Sequence, residues 1–187
     1  MGENEFVIVR PALVNDAEAL AAVHVRTWRV AYRGKMRQDY LDQLDPSPRV
    51  QGWRQWIQQD PATAGILLLE HAADGVVGFI TVSPSRDSDT DPEAVGEVKA
   101  VYLLPEYWGR GAGRLLMEAG LHRLKAAGFE EVVLWVLESN WRARRFYEAG
   151  GWRADGSTKT DESRGFPLAE VRYRYNNAEP VTEHPAR

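Results

Sequence analysis

Pro105-Glu106-Tyr107-Trp108-Gly109-Arg110-Gly111-Ala112-Gly113-Arg114 joins an extended apolar segment, Val95 to Leu104, to a helical pattern that starts directly after it. Glycine stands at every second position from 109 to 113. Such glycines let the backbone approach a ligand closely and take up positive φ without steric cost. Arg110 and Arg114 add positive charge, and the following helix directs the positive end of its dipole to the same place. The stretch reads as a cradle for an anion, phosphate above all.

Working outward, Leu116, Met117, Gly120, Leu121 and Leu124 recur at helical spacing until Gly128 ends the element. Glu131 to Leu137 (EVVLWVL) is apolar on both alternating faces, as in a strand covered on two sides. Residues 95–137 are therefore a strand–helix–strand crossover, expected to be parallel and right-handed. Asn140 opens a short helix with Ala143, Phe146 and Tyr147 on its inner side, closed by Gly150-Gly151. Trp152 to Ala154 reads as a short strand, Asp155 to Gly165 as a polar loop, and Leu168 to Tyr175 as the last strand.

Upstream, Phe6 to Arg10 is a first strand stopped by Pro11. Asn15 or Asp16 caps a helix running to about Val30, on which Trp28 and Tyr32 share a face. Further helical pieces span Met36 to Leu44 and Pro48 to about Gln59. Ile66 to His71 and Val76 to Val82 form a hairpin about Asp74-Gly75. Ser83 to Pro92 is all turn formers and charge, predicting an exposed, mobile loop. The expected architecture is α+β: one domain over residues 1–175, a mixed and mostly antiparallel sheet flanked by helices around a central βαβ crossover. Residues 176–187 predict a disordered tail.

Composition excludes several classes. With no cysteine among 187 residues there is no disulfide, thiol nucleophile or thiolate metal site. The four histidines show no metal-ligand spacing, so no metal is expected. The first residues carry no signal-peptide pattern, no apolar run reaches membrane-spanning length, and mean hydropathy is -0.44. A cytoplasmic location is the expectation. A net charge of -4 disfavours nucleic acid as the partner and suits a cationic substrate.

Two familiar phosphate motifs fail. A P-loop needs lysine followed by Ser or Thr after its last glycine, and here Arg114-Leu115 follows Gly113. A dinucleotide fingerprint needs G-x-G-x-x-G, and this chain has G-x-G-x-G. Trp108 to Gly113 instead resembles the Q/R-x-x-G-x-G/A acyl-CoA signature of the GNAT superfamily of N-acetyltransferases. Glu97 to Leu103 stands where that family's fourth strand leads into the turn. Asn140 to Trp152 resembles its second signature, N-x-x-A-x-x-F-Y-x-x-x-G-F, and Val9 to Ala12 with Asp16-Ala17 its opening. Trp108 departs from the pattern, where Gln or Arg is usual.

The resemblance implies the GNAT-like fold and acetyl transfer from acetyl-CoA to a primary amine in a direct ternary complex. It implies a pyrophosphate site on the backbone of Gly109, Arg110, Gly111, Ala112, Gly113 and Arg114, beside Trp108. Val101 and Leu103 would offer main-chain groups to the pantetheine arm where the strands splay, and Asn140, Ala143 and Phe146 complete the cofactor set. Glu97 is the candidate general base, through a water, because an amine with pKa about 10 must lose a proton. Tyr147 is the candidate acid for the leaving thiolate. Trp28 and Tyr32 are candidates for the acceptor pocket, with Trp53, Trp56 and His24 nearby; aromatic pairs on a helix are more often core. The acceptor is a small molecule or a peptide, and a homodimer is compatible with the sequence. The competing readings are a non-catalytic acyl-CoA-binding regulatory module and, more weakly, an acetyltransferase acting on protein or RNA.

Overall fold

Seven strands form one sheet in the computed structural model, which describes residues 7–58 and 65–177. In chain order they are β1 (Val7–Pro11), β2 (Gly65–His71), β3 (Gly75–Pro84), β4 (Val95–Leu103), β5 (Glu131–Leu137), β6 (Arg153–Asp161) and β7 (Leu168–Asn176). The helices are α1 (Ala17–Ala31), α2 (Gln38–Asp42), α3 (Ser47–Gln58), α4 (Ala112–Ala126) and α5 (Trp141–Ala149). Strand order across the sheet is β1-β2-β3-β4-β5-β7-β6. Among the described residues only β4 and β5 pair in parallel, joined by α4 as the crossover pattern requires.

The apolar strands at the centre are covered on both faces. Phe79 and Ile80 are consecutive on β3, so their side chains point to opposite faces. Phe79 meets Trp53 of α3 at 5.1 Å between ring centroids. On the other face a Cβ at Gly120 of α4 would stand 2.5 Å from Cδ1 of Ile80, so this helical glycine sets how closely α4 approaches. Leu68, Leu116, Leu124 and Leu134 are fully buried between these layers. Burying each such side chain contributes about 1.5–3 kcal/mol.

The structure departs from the sequence expectations at five places. Asp16 does not cap α1: its carboxylate accepts the Leu13 N–H (2.7 Å) and both guanidinium branches of Arg10 (2.7 and 2.9 Å). The second helical piece shrinks to α2, and Arg29 of α1 donates to the carbonyls of Leu41 and Leu44 at its C-terminal end. Most of the expected polar loop, Asp155 to Asp161, belongs to β6. It is an exposed edge strand with no apolar alternation, bulged between Ala154 and Thr158. The 83–92 loop is tucked in, with Ser85 buried and Asp87 bonded to β5 and β7. Finally, Asn176 ends β7, and the buried Asn177 amide donates to the carbonyls of Leu121 and Phe129 (3.0 and 3.1 Å). Residues 178–187, like Phe6 and Gln59, lie outside the described residues.

Candidate active site

The parallel pairing of β4 with β5 covers four positions, from Val95↔Glu131 to Val98↔Leu134. Both strands continue, to Leu103 and Leu137, without further pairing to each other. The divergence begins at a bulge: Val82 of β3 faces Val98 and Thr81 faces Ala100, which leaves Lys99 as the extra residue. A bulge bends and twists its strand. A cleft of about 1620 Å³ opens between the parted strands, walled by Val101 to Leu103 on one side and by Val136 and Leu137 on the other.

One end of the cleft is the glycine turn. Gly109 and Gly111 hold φ of 74° and 85°, values open to glycine at little cost. Gly113 lies within α4, with Phe146 of α5 3.5 Å from where its Cβ would be. The N–H groups of Gly109, Gly111, Ala112 and Gly113 have no acceptor among the described residues. Unsatisfied donors at a helix start with a positive dipole favour a multiply charged anion, and a diphosphate fits that donor set. One predicted member, Arg114, is engaged otherwise: its N–H donates to the Gly111 carbonyl (2.9 Å) and its guanidinium to Glu118 (2.7 Å).

Trp108 turns its indole inward, donating to the Leu103 carbonyl at 2.7 Å, while the Arg142 guanidinium covers its ring at 4.2 Å. The departure from Gln or Arg thus fastens the turn to the end of β4. Thr27 of α1 donates to the same Leu103 carbonyl (3.2 Å), so Leu103 has its N–H rather than its C=O left for any ligand. Asn140 caps α5 by accepting the Ala143 N–H (3.4 Å), and its own amide N–H₂ has no acceptor among the described residues. Asn140, Ala143 and Phe146 all line the cleft.

Glu97 and Tyr147 reach the same cleft, each 8% exposed. Burial raises the Glu97 carboxyl above the ordinary glutamate range, opposed by Arg86 and Lys99. Burial also lifts the Tyr147 hydroxyl well above the usual tyrosine value, with Tyr102 adding. That hydroxyl forms no hydrogen bond among the described residues, while its ring rests on Phe146 (5.4 Å) and Trp152 (6.1 Å).

Trp28 and Tyr32 lie 5.0 Å apart edge to face, and both line the cleft although Trp28 is also buried in a second apolar cluster with Leu137 and Leu168. Trp53 and Trp56 stack on one another at 5.4 Å and serve the main core. His24 packs inside an aromatic cage of Trp28, Trp53, Phe79 and Tyr102, with neither ring nitrogen bonded among the described residues.

Several cleft residues carry no signal in the sequence. Glu170 of β7 faces Leu137 in the ladder and is raised by burial, with the Lys159 ammonium 3.5 Å away. Arg164 stands over the Trp28 ring at 5.0 Å and pairs with Asp161. Lys99 is lowered by burial and lies over Trp56 at 5.3 Å. Alternation placed Glu170 on a strand, but nothing local said what its face would meet. Among the described residues no His, Asp or Glu group is arranged to hold a metal, and no helix is long and apolar enough to cross a membrane.

A family model described as the acetyltransferase (GNAT) family matches residues 23–152. An uncharacterized N-acetyltransferase, YuaI of Bacillus subtilis, is 32% identical over 72% of this chain and 73% of its own. The mycothiol acetyltransferase of Thermobispora bispora is 38% identical over 52% of this chain, which spans 35% of that protein. Among solved structures, the PaiA N-acetyltransferase of Thermoplasma acidophilum, in complex with coenzyme A, superposes with a TM-score of 0.73 at 20% identity, covering 91% of this chain and 98% of that one. The putative acetyltransferase yncA of Salmonella typhimurium, with acetyl-CoA, gives 0.68 at 18%, covering 96% and 99%.

Proposed function

This chain belongs to the GNAT family of acetyltransferases, and from that premise we propose that it moves the acetyl group of acetyl-CoA onto a primary amine by direct attack within a ternary complex. The observation that carries this reading is the parting of β4 and β5 beyond Val98 and Leu134. It leaves main-chain groups of β4 without a β5 partner, between a nest of free N–H donors at one end and Glu97 with Tyr147 along the gap.

Acetyl-CoA supplies the acetyl group as a thioester. The N–H groups of Gly109, Gly111, Ala112 and Gly113, with the Arg110 side chain, hold its diphosphate. The β4 main chain at Val101 and the Leu103 N–H line the pantetheine arm, and the N–H at Val101 faces the carbonyl oxygen where negative charge develops. Asn140, Ala143 and Phe146 wall the arm from the α5 side. Glu97 takes the amine proton through a water; its raised affinity for protons makes it a stronger base than a surface glutamate. Tyr147 stays protonated at neutral pH and gives its proton to the departing sulfur. The absence of cysteine rules out an acyl-cysteine intermediate, which agrees with direct attack.

Trp28, Tyr32 and Tyr102 form the aromatic wall of the acceptor side, with Glu170 as a second carboxylate. That composition suits a small or peptidic amine, whose ammonium form binds aromatic faces and carboxylates, rather than nucleic acid.

Calorimetry should show acetyl-CoA binding to the wild-type chain, and a thiol-release screen across amine classes should show turnover. Glu97→Gln is expected to lower kcat about 100-fold and to remove the acidic limb of the pH profile. If Glu97→Gln and Tyr147→Phe both leave turnover unchanged, these roles are wrong. Acetyl-CoA binding without thiol release over the whole panel would support a binding module instead.

A further inference from the structure

Arg172 of β7 is a buried cation, 4% exposed, on the acceptor face of the sheet. Its guanidinium donates to Asp87 (3.0 Å), to both oxygens of Asp89 (2.7 Å each), to Asp155 (2.7 Å) and to the Ser157 hydroxyl (2.8 Å). Asp87 also accepts the indole N–H of Trp135, at 3.1 and 3.0 Å from its two oxygens. Trp135 and Arg172 face each other across the β5–β7 ladder. Two donors from two strands therefore fasten one residue of the loop between β3 and β4.

The loop is fixed just before that anchor too. The Ser85 N–H donates to the Val95 carbonyl at 2.8 Å, and the Thr90 hydroxyl bridges to the Ser85 hydroxyl (2.8 Å) and the Asp87 carbonyl (2.9 Å). Arg86 is the residue between the two fixed points. Its side chain is 74% exposed, yet its Nε lies 3.9 Å from Oε2 of Glu97. An exposed ion pair is weak and costs side-chain entropy, so a fixed backbone at residue 86 favours this placement by removing the further freedom that a mobile loop would add.

We propose that Asp87, held by Trp135 and Arg172, is a positioning residue that seats Arg86 over Glu97. Its catalytic meaning rests on the reading of Glu97 as the base, but the placement is tested without turnover, so either can fail alone. The charges facing Glu97 are Arg86 and Asp87 from the loop, Lys99 from β4 and Lys159 from β6. The three cations favour the ionised carboxylate, whereas the charge of Asp87 itself disfavours it. Loss of Asp87 then has two consequences of opposite sign. Through its charge alone, Glu97 would ionise at lower pH; through release of Arg86, at higher pH.

Carboxyl ¹³C labelling of glutamate and an NMR titration of the full chain separate them, the Glu97 signal being identified by its loss in Glu97→Gln. Arg86→Gln is expected to raise the Glu97 midpoint by about half a pH unit, and Asp87→Ala to raise it by less, because loss of its own charge offsets part of the release of Arg86. Asp87→Ala made on top of Arg86→Gln is expected to lower the midpoint relative to Arg86→Gln alone, since the loop then has no cation to release and only the charge of Asp87 is lost. A midpoint that falls or stays put in Asp87→Ala alone overturns the proposal. Trp135→Phe removes the indole donor without changing any charge and serves if Asp87→Ala does not fold. It too should raise the midpoint, and an unmoved one overturns the proposal.

Discussion

The two ends of the cleft are built by opposite means. The α4 end is backbone: four N–H groups, within five consecutive residues, that have no acceptor among the described residues, shaped by two glycines at positive φ. The other end is side chains, brought from α1, β4, the β3–β4 loop, β5, β6 and β7, and tied by bonds such as Arg172 to Asp87 across 85 positions. A backbone site needs only a short local pattern and can serve many relatives unchanged. A side-chain site is particular to its chain. We therefore expect donor binding and acceptor chemistry to respond separately to substitution.

The sharpest test of that separation is Tyr147→Phe. The ring keeps its packing on Phe146 and Trp152, so acetyl-CoA affinity by calorimetry should hold while kcat falls about 100- to 1000-fold. A parallel loss of affinity would break the comparison. Next, Arg172→Leu leaves Asp87, Asp89 and Asp155 facing an apolar group. Urea unfolding should register about 3 kcal/mol of lost stability, with acetyl-CoA binding per folded molecule intact.

His24 gives a smaller effect with a definite sign. Burial first, then Arg49 and Arg164, lower its pKa from 6.5 to about 4. The unfolded chain therefore binds the proton that the folded chain refuses, and stability falls as pH drops from about 6.5 towards 4. At pH 5 the wild type should have lost about 2 kcal/mol relative to a His24→Phe variant, which lacks this contribution. Equal acid sensitivity of the two chains would show that the cage admits the proton. The smallest change is at the backbone end: Gly111→Val forces a branched residue to φ 85°, at about 1–2 kcal/mol. Acetyl-CoA affinity should weaken about tenfold while the pH dependence of turnover keeps its shape.

The same division explains what could be read from the sequence. The crossover, the glycine turn and the capped α5 are local, set by residues within a few positions of one another, and each stands close to its expected place. Glu97 and Tyr147 lie on elements whose periodicity was clear, and both reach the cleft. By contrast, β6 was hidden because an exposed edge strand has no apolar alternation, and its pairing is dictated by β7 rather than by itself. The 83–92 loop looked free because its ties are to Trp135 and Arg172, far along the chain. Trp108 looked like a defect in a phosphate motif; its partner, the Leu103 carbonyl, becomes evident only once β4 ends where it does.

The order β5-β7-β6 also bears on how the chain is made. Among the described strands, β7 comes last in the chain yet fills an interior slot, between two strands that precede it. Until β7 arrives, β5 presents an open edge whose Val132, Val133, Leu134 and Val136 end up buried, and β6 has no neighbour at all. A nascent or truncated chain that stops before Leu168 is thus a sticky, half-closed sheet, the kind of surface that chaperones shield and aggregates recruit.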